Sequence, residues 1–301
     1  MDNFILLALC FGTGILLRRF ERVPENASAT LNGVIIYFSF PAVVLEHVHG
    51  LPITTGLVLP ALMAWIVFAA AWLGFGLRSR RPGLDRRTAG CLILTAGLGN
   101  TSFVGLPMIE ALYGPGHLGI GIVCDQAGSF MVLSTLGIIV AAGLSGAGFT
   151  KRQLAGRVLT FPPFVALLTA LVLKPFPYPE MFTSLLKQVG ATLAPLALLS
   201  VGLSMRLGAL RGRLPVLFAG LGYKMILAPL LILGLYVGLL GQSGEVIQVT
   251  VFEAAMPPMI TGGIVAMQYG LDEDLAGLLL GIGIPLGFLT LPLWSWLLGW
   301  V

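Results

Sequence analysis

Apolar stretches of about 20 residues follow one another along the chain, each long enough to cross a hydrocarbon core of roughly 30 Å. Short polar connections separate them. The pattern predicts ten transmembrane helices, over 3–20, 28–47, 54–77, 88–113, 117–143, 158–176, 184–205, 214–239, 245–270 and 273–299. Two of the ten are interrupted. In the fourth, Gly97, Gly99, Asn100, Thr101, Ser102, Gly105 and Pro107 fall in mid-membrane; in the ninth, Glu253 to Gly263 reads EAAMPPMITGG. A break at bilayer depth leaves backbone N–H and C=O groups that hydrocarbon cannot satisfy, so it survives only where it lines a protein cavity. Paired breaks at corresponding places in two halves of a chain point to the substrate site of a transporter.

The halves correspond in this way. Setting Tyr113-Gly114 over Tyr269-Gly270 brings Asn100 opposite Met256, Thr101 opposite Pro257 and Pro107 opposite Gly263. Ala-Thr-Leu recurs at Ala29 to Leu31 and Ala191 to Leu193, near the start of the second helix of each unit. Five helices per unit is an odd number, so the second copy enters the membrane from the opposite side. The expected fold is an all-α polytopic membrane protein, a 5+5 inverted repeat of residues 1–145 and 146–301 whose fourth and ninth helices cross at their breaks.

Composition supports the membrane class: of 301 residues 57% are hydrophobic and 10% charged, with mean hydropathy +0.96, outside the range of a soluble domain. No separate soluble catalytic or regulatory domain is expected. The first apolar run follows Asp2 and precedes Arg18, Arg19 and Arg22, the reverse of a signal peptide's charge order, so it is expected to remain as the first helix. Cys10, Cys91 and Cys124 lie within apolar runs without metal-ligand spacing and read as free buried thiols.

Basic residues occupy alternate connections: Arg18, Arg19 and Arg22; Arg78, Arg80, Arg81, Arg86 and Arg87; Lys151, Arg152 and Arg157; Arg206, Arg211 and Arg213. The positive-inside rule then puts both termini outside the cytoplasm. Asp272, Glu273 and Asp274 depart from the pattern in the last inner loop, but acidic residues weigh little in this rule.

These features resemble the auxin efflux carrier family of bacterial and plant transporters. The likeness covers the whole chain. Gly99-Asn100-Thr101-Ser102 is similar to the family's Asn-Thr crossover, and Met256-Pro257-Pro258-Met259-Ile260, ending at Gly263, to its proline-containing partner. The first break lacks the proline of plant members, and the 143–157 connection is too short for their long cytoplasmic loop. The resemblance implies a bacterial-type carrier of small organic anions in the inner membrane. It further implies a scaffold of helices 1, 2, 6 and 7, a moving transport unit of helices 3–5 and 8–10, and a homodimer formed through the scaffold. The layout is also similar to that of the bile acid sodium symporters, which makes a sodium-coupled carrier of larger amphipathic anions the alternative.

At each break the chain restarts as a half-helix with unpaired amides and a positive dipole end. Two such ends meeting near the midplane make an anion site without any buried Lys or Arg. Asn100, Thr101 and Ser102 would add side-chain donors; Pro257 and Pro258 withhold amides, so donation on the second side would begin near Met259, Ile260 and Thr261. Among ionisable residues in apolar runs, each a functional candidate by default, Glu253 and Asp125, with Gln126 beside it, are expected to hold the coupling ion, sodium or proton. Lys224 either pairs with one of these carboxyl groups or, by the simpler reading, snorkels to the interface. Glu46 and Glu110 read as interfacial, and His47, His49 and His117 as solvated residues at outer helix ends, with no metal site. No cofactor is expected beyond sodium or a proton.

Other classes find little support. There is no nucleotide-binding signature, no nucleophile with a base in reach (Ser145 has no histidine at its depth), and the Arg-rich loops are explained by topology and lipid contact without nucleic acid. An intramembrane enzyme is not expected; a channel or sensor does not require paired breaks. The expected function is secondary active transport of small carboxylates by alternating access, coupled to a proton or sodium gradient or driven by the substrate's own gradient.

Overall fold

Helix starts fall where the sequence supplies caps and prolines. Asp85 accepts the N–H groups of Arg87 (2.9 Å) and Thr88 (3.0 Å), capping the helix that begins at Arg86. Asp272 caps the last helix through the N–H of Leu275 (3.1 Å). Pro162 and Pro215 lie in first turns, where a missing N–H costs no hydrogen bond.

The computed structural model describes residues 2–49, 57–80, 83–145, 156, 159–204, 210 and 212–301; these contain helices and no strand. Arg81, Lys151, Arg152, Arg157, Arg206 and Arg211, used above for topology, lie outside the described residues, as does the side chain of His47.

In chain order, α1 is Asp2–Arg19; α2 runs Ala27–Val34, through a wide π segment Ile35–Ser39, into Phe40–His49; and α3 is Val58–Arg78. The first interrupted pair is α4 (Arg86–Thr95) and α5 (a π turn Thr101–Gly105 continuing as Leu106–Tyr113). Next come α6 (Leu118–Leu144), α7 (Pro162–Leu173) and α8 (Glu180–Ala191, then Leu193–Ser204). α9 is Leu214–Leu239. The second interrupted pair is α10 (Glu245–Ala254) and α11 (Ile260–Gln268), and α12 is Glu273–Leu298.

Among the described residues, six helices are each long and apolar enough to cross a membrane: Ala27–Glu46, Val58–Arg78, Leu118–Leu144, Glu180–Leu203, Leu214–Leu239 and Glu273–Leu298. α7 is apolar but shorter, and each half of the interrupted pairs is likewise too short to cross alone. Helix length alone therefore establishes a polytopic helical protein, not the full ten-crossing layout.

The breaks are tighter than expected. Only residues 96–100 and 255–259 leave the helix, whereas Ser102 and Gly105 are already in the π turn that opens α5. Pro107 directly follows the wide π turn Thr101–Gly105 within α5 and does not prolong the break.

Two sets of helices pack most closely among themselves. α1 lies along the second part of α8, and α7 and the first part of α8 lie on the Phe40–His49 part of α2. α3 packs on α4, α6 and α10, and both interrupted pairs pack on α12. Within the first set, half-buried Ser28 and buried Asn32 and Ser200 form a polar chain: Ser200 Oγ donates to Asn32 Oδ1 (2.6 Å) and lies 3.0 Å from Ser28 Oγ. Asn32 Nδ2 reaches across to Met267 Sδ of α11 at 3.7 Å.

α6 and α9 contain π segments at Cys124–Phe130, Leu133–Gly137, Tyr223–Leu227 and Gly234–Leu239. A π turn displaces carbonyls from the usual ladder. Trp65 Nε1 donates to the Ala127 carbonyl (3.0 Å) and Trp294 Nε1 to that of Met225 (2.9 Å), one in each helix.

Candidate functional site

α4 stops at Thr95 because Gly97 and Gly99 weaken its continuation, and α10 stops at Ala254 because Pro257 and Pro258 cannot supply the next ladder bonds. The two loose ends then satisfy each other. The Asn100 N–H donates to the Pro257 carbonyl (2.8 Å), and the Met259 N–H lies between the carbonyls of Thr95 (3.0 Å) and Leu98 (3.2 Å). Gly99 and Pro258 form an antiparallel bridge. The two breaks thus run antiparallel where they meet and hold each other by their backbones.

This exchange corrects one expectation. The Met259 N–H is not available to an anion, because the crossing uses it. The amides of Thr101, Ser102, Ile260 and Thr261 carry no backbone hydrogen bond among the described residues, so the first turns of α5 and α11 retain unpaired donors. Asn100 caps α5 by accepting the Phe103 N–H at Oδ1 (3.2 Å), which leaves its buried Nδ2 without a partner among the described residues. Ser102 Oγ is likewise unpartnered. Pro257, Pro258, Met259, Ile260 and Thr261 are all buried, as are Asn100 and Thr101.

The acidic candidates converge on the same place. Asp125 meets the break beside Asn100: Thr101 Oγ1 donates to Asp125 Oδ1 at 2.6 Å, with Ser129 Oγ at 3.2 Å. Gln126 is buried with Oε1 unpartnered among the described residues. Glu253, one residue before the end of α10, is fully buried, and neither carboxyl oxygen has a hydrogen-bond partner among the described residues. Its carboxyl group rests against Gly105 in the first turn of α5, and against Gly121 of α6.

The snorkelling expected of Lys224 is not found. The residue lies in a π segment in the interior of α9, is 1% exposed, and donates from Nζ to the Ala254 carbonyl at 2.7 Å. Glu110 is exposed and Glu46 half-buried. Cys91 and Cys124 are buried free thiols, while Cys10 is half-buried. No cluster of metal-ligating side chains occurs among the described residues.

A second cluster was missed in the sequence. Asp272, set aside above as an exception to the charge pattern, pairs with Arg213, whose guanidinium also lies 3.9 Å from Asp274. Thr88 Oγ1 sits between Asp85 Oδ2 (2.5 Å) and Asp272 Oδ2 (2.8 Å), so the N-caps of α4 and α12 and the start of α9 share one polar knot. Burial pushes the Asp85 carboxyl group up, but the hydrogen bonds from Thr88 and Arg87 outweigh it and hold it below the ordinary value. Burial likewise opposes the Arg213 charge, and the Asp272 carboxylate outweighs it, raising the guanidinium. The signal that would have found this knot is an Asp directly before a helix in each half.

A family model described as membrane transport protein matches residues 3–295. A protein of Methanothermobacter thermautotrophicus named as an uncharacterized transporter is 26% identical over 94% of this chain and 93% of its own length. Another uncharacterized transporter, of Methanocaldococcus jannaschii, is 26% identical over 99% of this chain and 98% of its own.

Proposed function

The chain belongs to the membrane transport protein family, that of the auxin efflux carriers, and from that premise we propose that it is a secondary transporter of small organic anions. The observation that carries this reading is the crossing itself. Backbone exchange between the two breaks leaves unpaired amides on the first turns of α5 and α11, and Asn100 Nδ2 and Ser102 Oγ unpartnered beside them. Two positive helix ends with free donors suit a carboxylate.

In this reading Asn100, Thr101, Ser102, Ile260 and Thr261 bind the anion. Pro257, Pro258 and Met259 shape the crossing that presents it. Glu253 is the main coupling group, and Asp125, bonded to Thr101, and its neighbour Gln126 contribute to the same coupling site. α1, α2, α7 and α8 serve as scaffold, and the remaining helices carry the site past it as one body, within a ten-crossing inverted repeat with both termini outside a bacterial inner membrane. A cavity of about 200 Å³ bordered by Ser28, Asn32, Met267 and Gln268 lies between the two sets of helices, where such a body would slide.

Counterflow in proteoliposomes tests the reading. Preloading with a carboxylate identified by a thermal-shift screen should accelerate uptake of the same labelled compound, saturably. Flux that rises linearly with concentration and shows no counterflow would indicate a channel instead.

A further inference from the structure

Lys224 is the residue at the crossing that the proposed function leaves unused. An ammonium group inside a membrane protein is costly to hold, so it marks a function with an identifiable partner. Here the partner is the last carbonyl of α10: Ala254 ends that helix, and Nζ lies 2.7 Å from its oxygen. The C-terminal end of a helix carries a partial negative charge and favours a cation. On the other side stands Gly99, where a β-carbon would lie 3.0 Å from Nζ and 3.2 Å from Cε, so the break in α4 leaves the room that the ammonium group fills. The Glu253 backbone carbonyl borders the same space, 3.4 Å from that β-carbon position. The Glu253 side chain points elsewhere, against Gly105 and Gly121, and no ion pair joins it to Lys224 among the described residues.

Freed carbonyls and half-helix C-terminal ends at a midplane break are what a transporter uses to coordinate a coupling sodium ion. In this chain a covalently attached cation already occupies such an end. We propose that the Lys224 ammonium group is a tethered cation standing where a mobile sodium ion would bind, so that the crossing is complete without sodium. The inference rests on reading the crossing as a transport site and deepens it. Lys224 positions the two breaks by neutralising the α10 end, and it leaves proton coupling at Glu253, or the substrate's own gradient, as the driving force.

The test uses purified protein and sodium alone, with no organic anion present. Thermal midpoints are compared in sodium chloride and in choline chloride at equal ionic strength. The wild-type protein should melt at one temperature in both. Lys224→Ala should melt lower in choline and regain a few degrees in sodium, saturably, because an ion that binds only the folded state stabilises it by mass action. A lysine of purely structural importance would give equal loss in both salts. A sodium-selective rise in the wild type, or no sodium preference in Lys224→Ala, overturns the proposal. If the alanine protein is lost in both media, Lys224→Gln runs the same comparison, and equal midpoints overturn it. Because no substrate enters the measurement, a negative result leaves the counterflow assay standing, and failure of counterflow leaves the sodium result interpretable.

Discussion

A β-carbon on Gly105 would lie 2.6 Å from Oε1 and 2.7 Å from Oε2 of Glu253, so a carboxyl group near the end of one broken helix fills the gap that glycine leaves at the start of the other. Gly105→Ala should therefore displace Glu253. The expected cost is about 1–3 kcal/mol of stability, the usual range for overpacking a filled interior. Gly222→Ala, where no atom lies within 4 Å, is the control and should be close to neutral. Glu253→Gln should stay folded, and become no less stable, since it removes a buried acid with no hydrogen-bond partner. Transport by that variant should lose its response to pH. Melting curves and flux at several pH values check both; an unchanged pH response in Glu253→Gln would remove Glu253 from coupling.

Asn100 has two separable duties. Oδ1 caps α5 through Phe103 N–H, while Nδ2 is unpartnered. Asn100→Asp should keep the cap and the melting temperature yet repel an anion. Asn100→Ala should lose both, with affinity falling roughly 10- to 150-fold for a hydrogen bond to a charged group worth about 1.5–3 kcal/mol. Titration with the screened carboxylate measures this, and full affinity in the Asp variant would take Nδ2 out of the site.

Asp272→Ala should destabilise through three lost interactions: the cap on Leu275, the Thr88 hydroxyl and the Arg213 pair. A loss of about 2 kcal/mol is expected from a cap and a half-buried charged hydrogen bond. Asp85→Asn should show a smaller effect that vanishes in acid. The Asp85 carboxyl group is held below its ordinary value, so its contribution is present above about pH 4 and is lost as pH falls through the lower folded value. Chemical or thermal denaturation of each variant across acid pH is the measurement.

His117 Nε2 lies 2.9 Å from Glu245 Oε2, and that hydrogen bond raises the imidazole above its ordinary value. The contact should stabilise fully below about pH 6.5 and fade as pH rises through the raised value. His117→Gln should thus lower the melting temperature at about pH 5.5 and leave it unchanged at about pH 8.5. The effect will be small, because Glu245 is exposed. Equal shifts at both pH values would assign the contact to packing rather than charge.

Much of the site could be read from residue types. Gly99, Asn100 and the Pro257-Pro258 pair announce a break because each removes or weakens helical hydrogen bonding, and the structure interrupts both helices there. Glu253 stood out as a carboxyl group in an apolar run, and it does reach the other break. What could not be read is register. Asp125 and Lys224 both lie in π segments, where an extra residue per turn rotates side chains away from the faces an α-helix would give them. Asp125 takes Thr101 as its partner, and Lys224 turns inward to the Ala254 carbonyl. The knot of Asp85, Thr88, Arg213 and Asp272 was hidden for a different reason: Asp85 and Thr88 are far in sequence from Arg213 and Asp272, and no residue type ties the two pairs together.

The hydrogen bonds from Asn100 to Pro257 and from Met259 to Thr95 bear on how the protein is made. Residues 96–100 are synthesised long before their counterparts, and until those arrive they leave unsatisfied backbone in an environment without water. A fragment ending near residue 145 should accordingly be degraded when produced alone and rescued when the remainder is co-expressed.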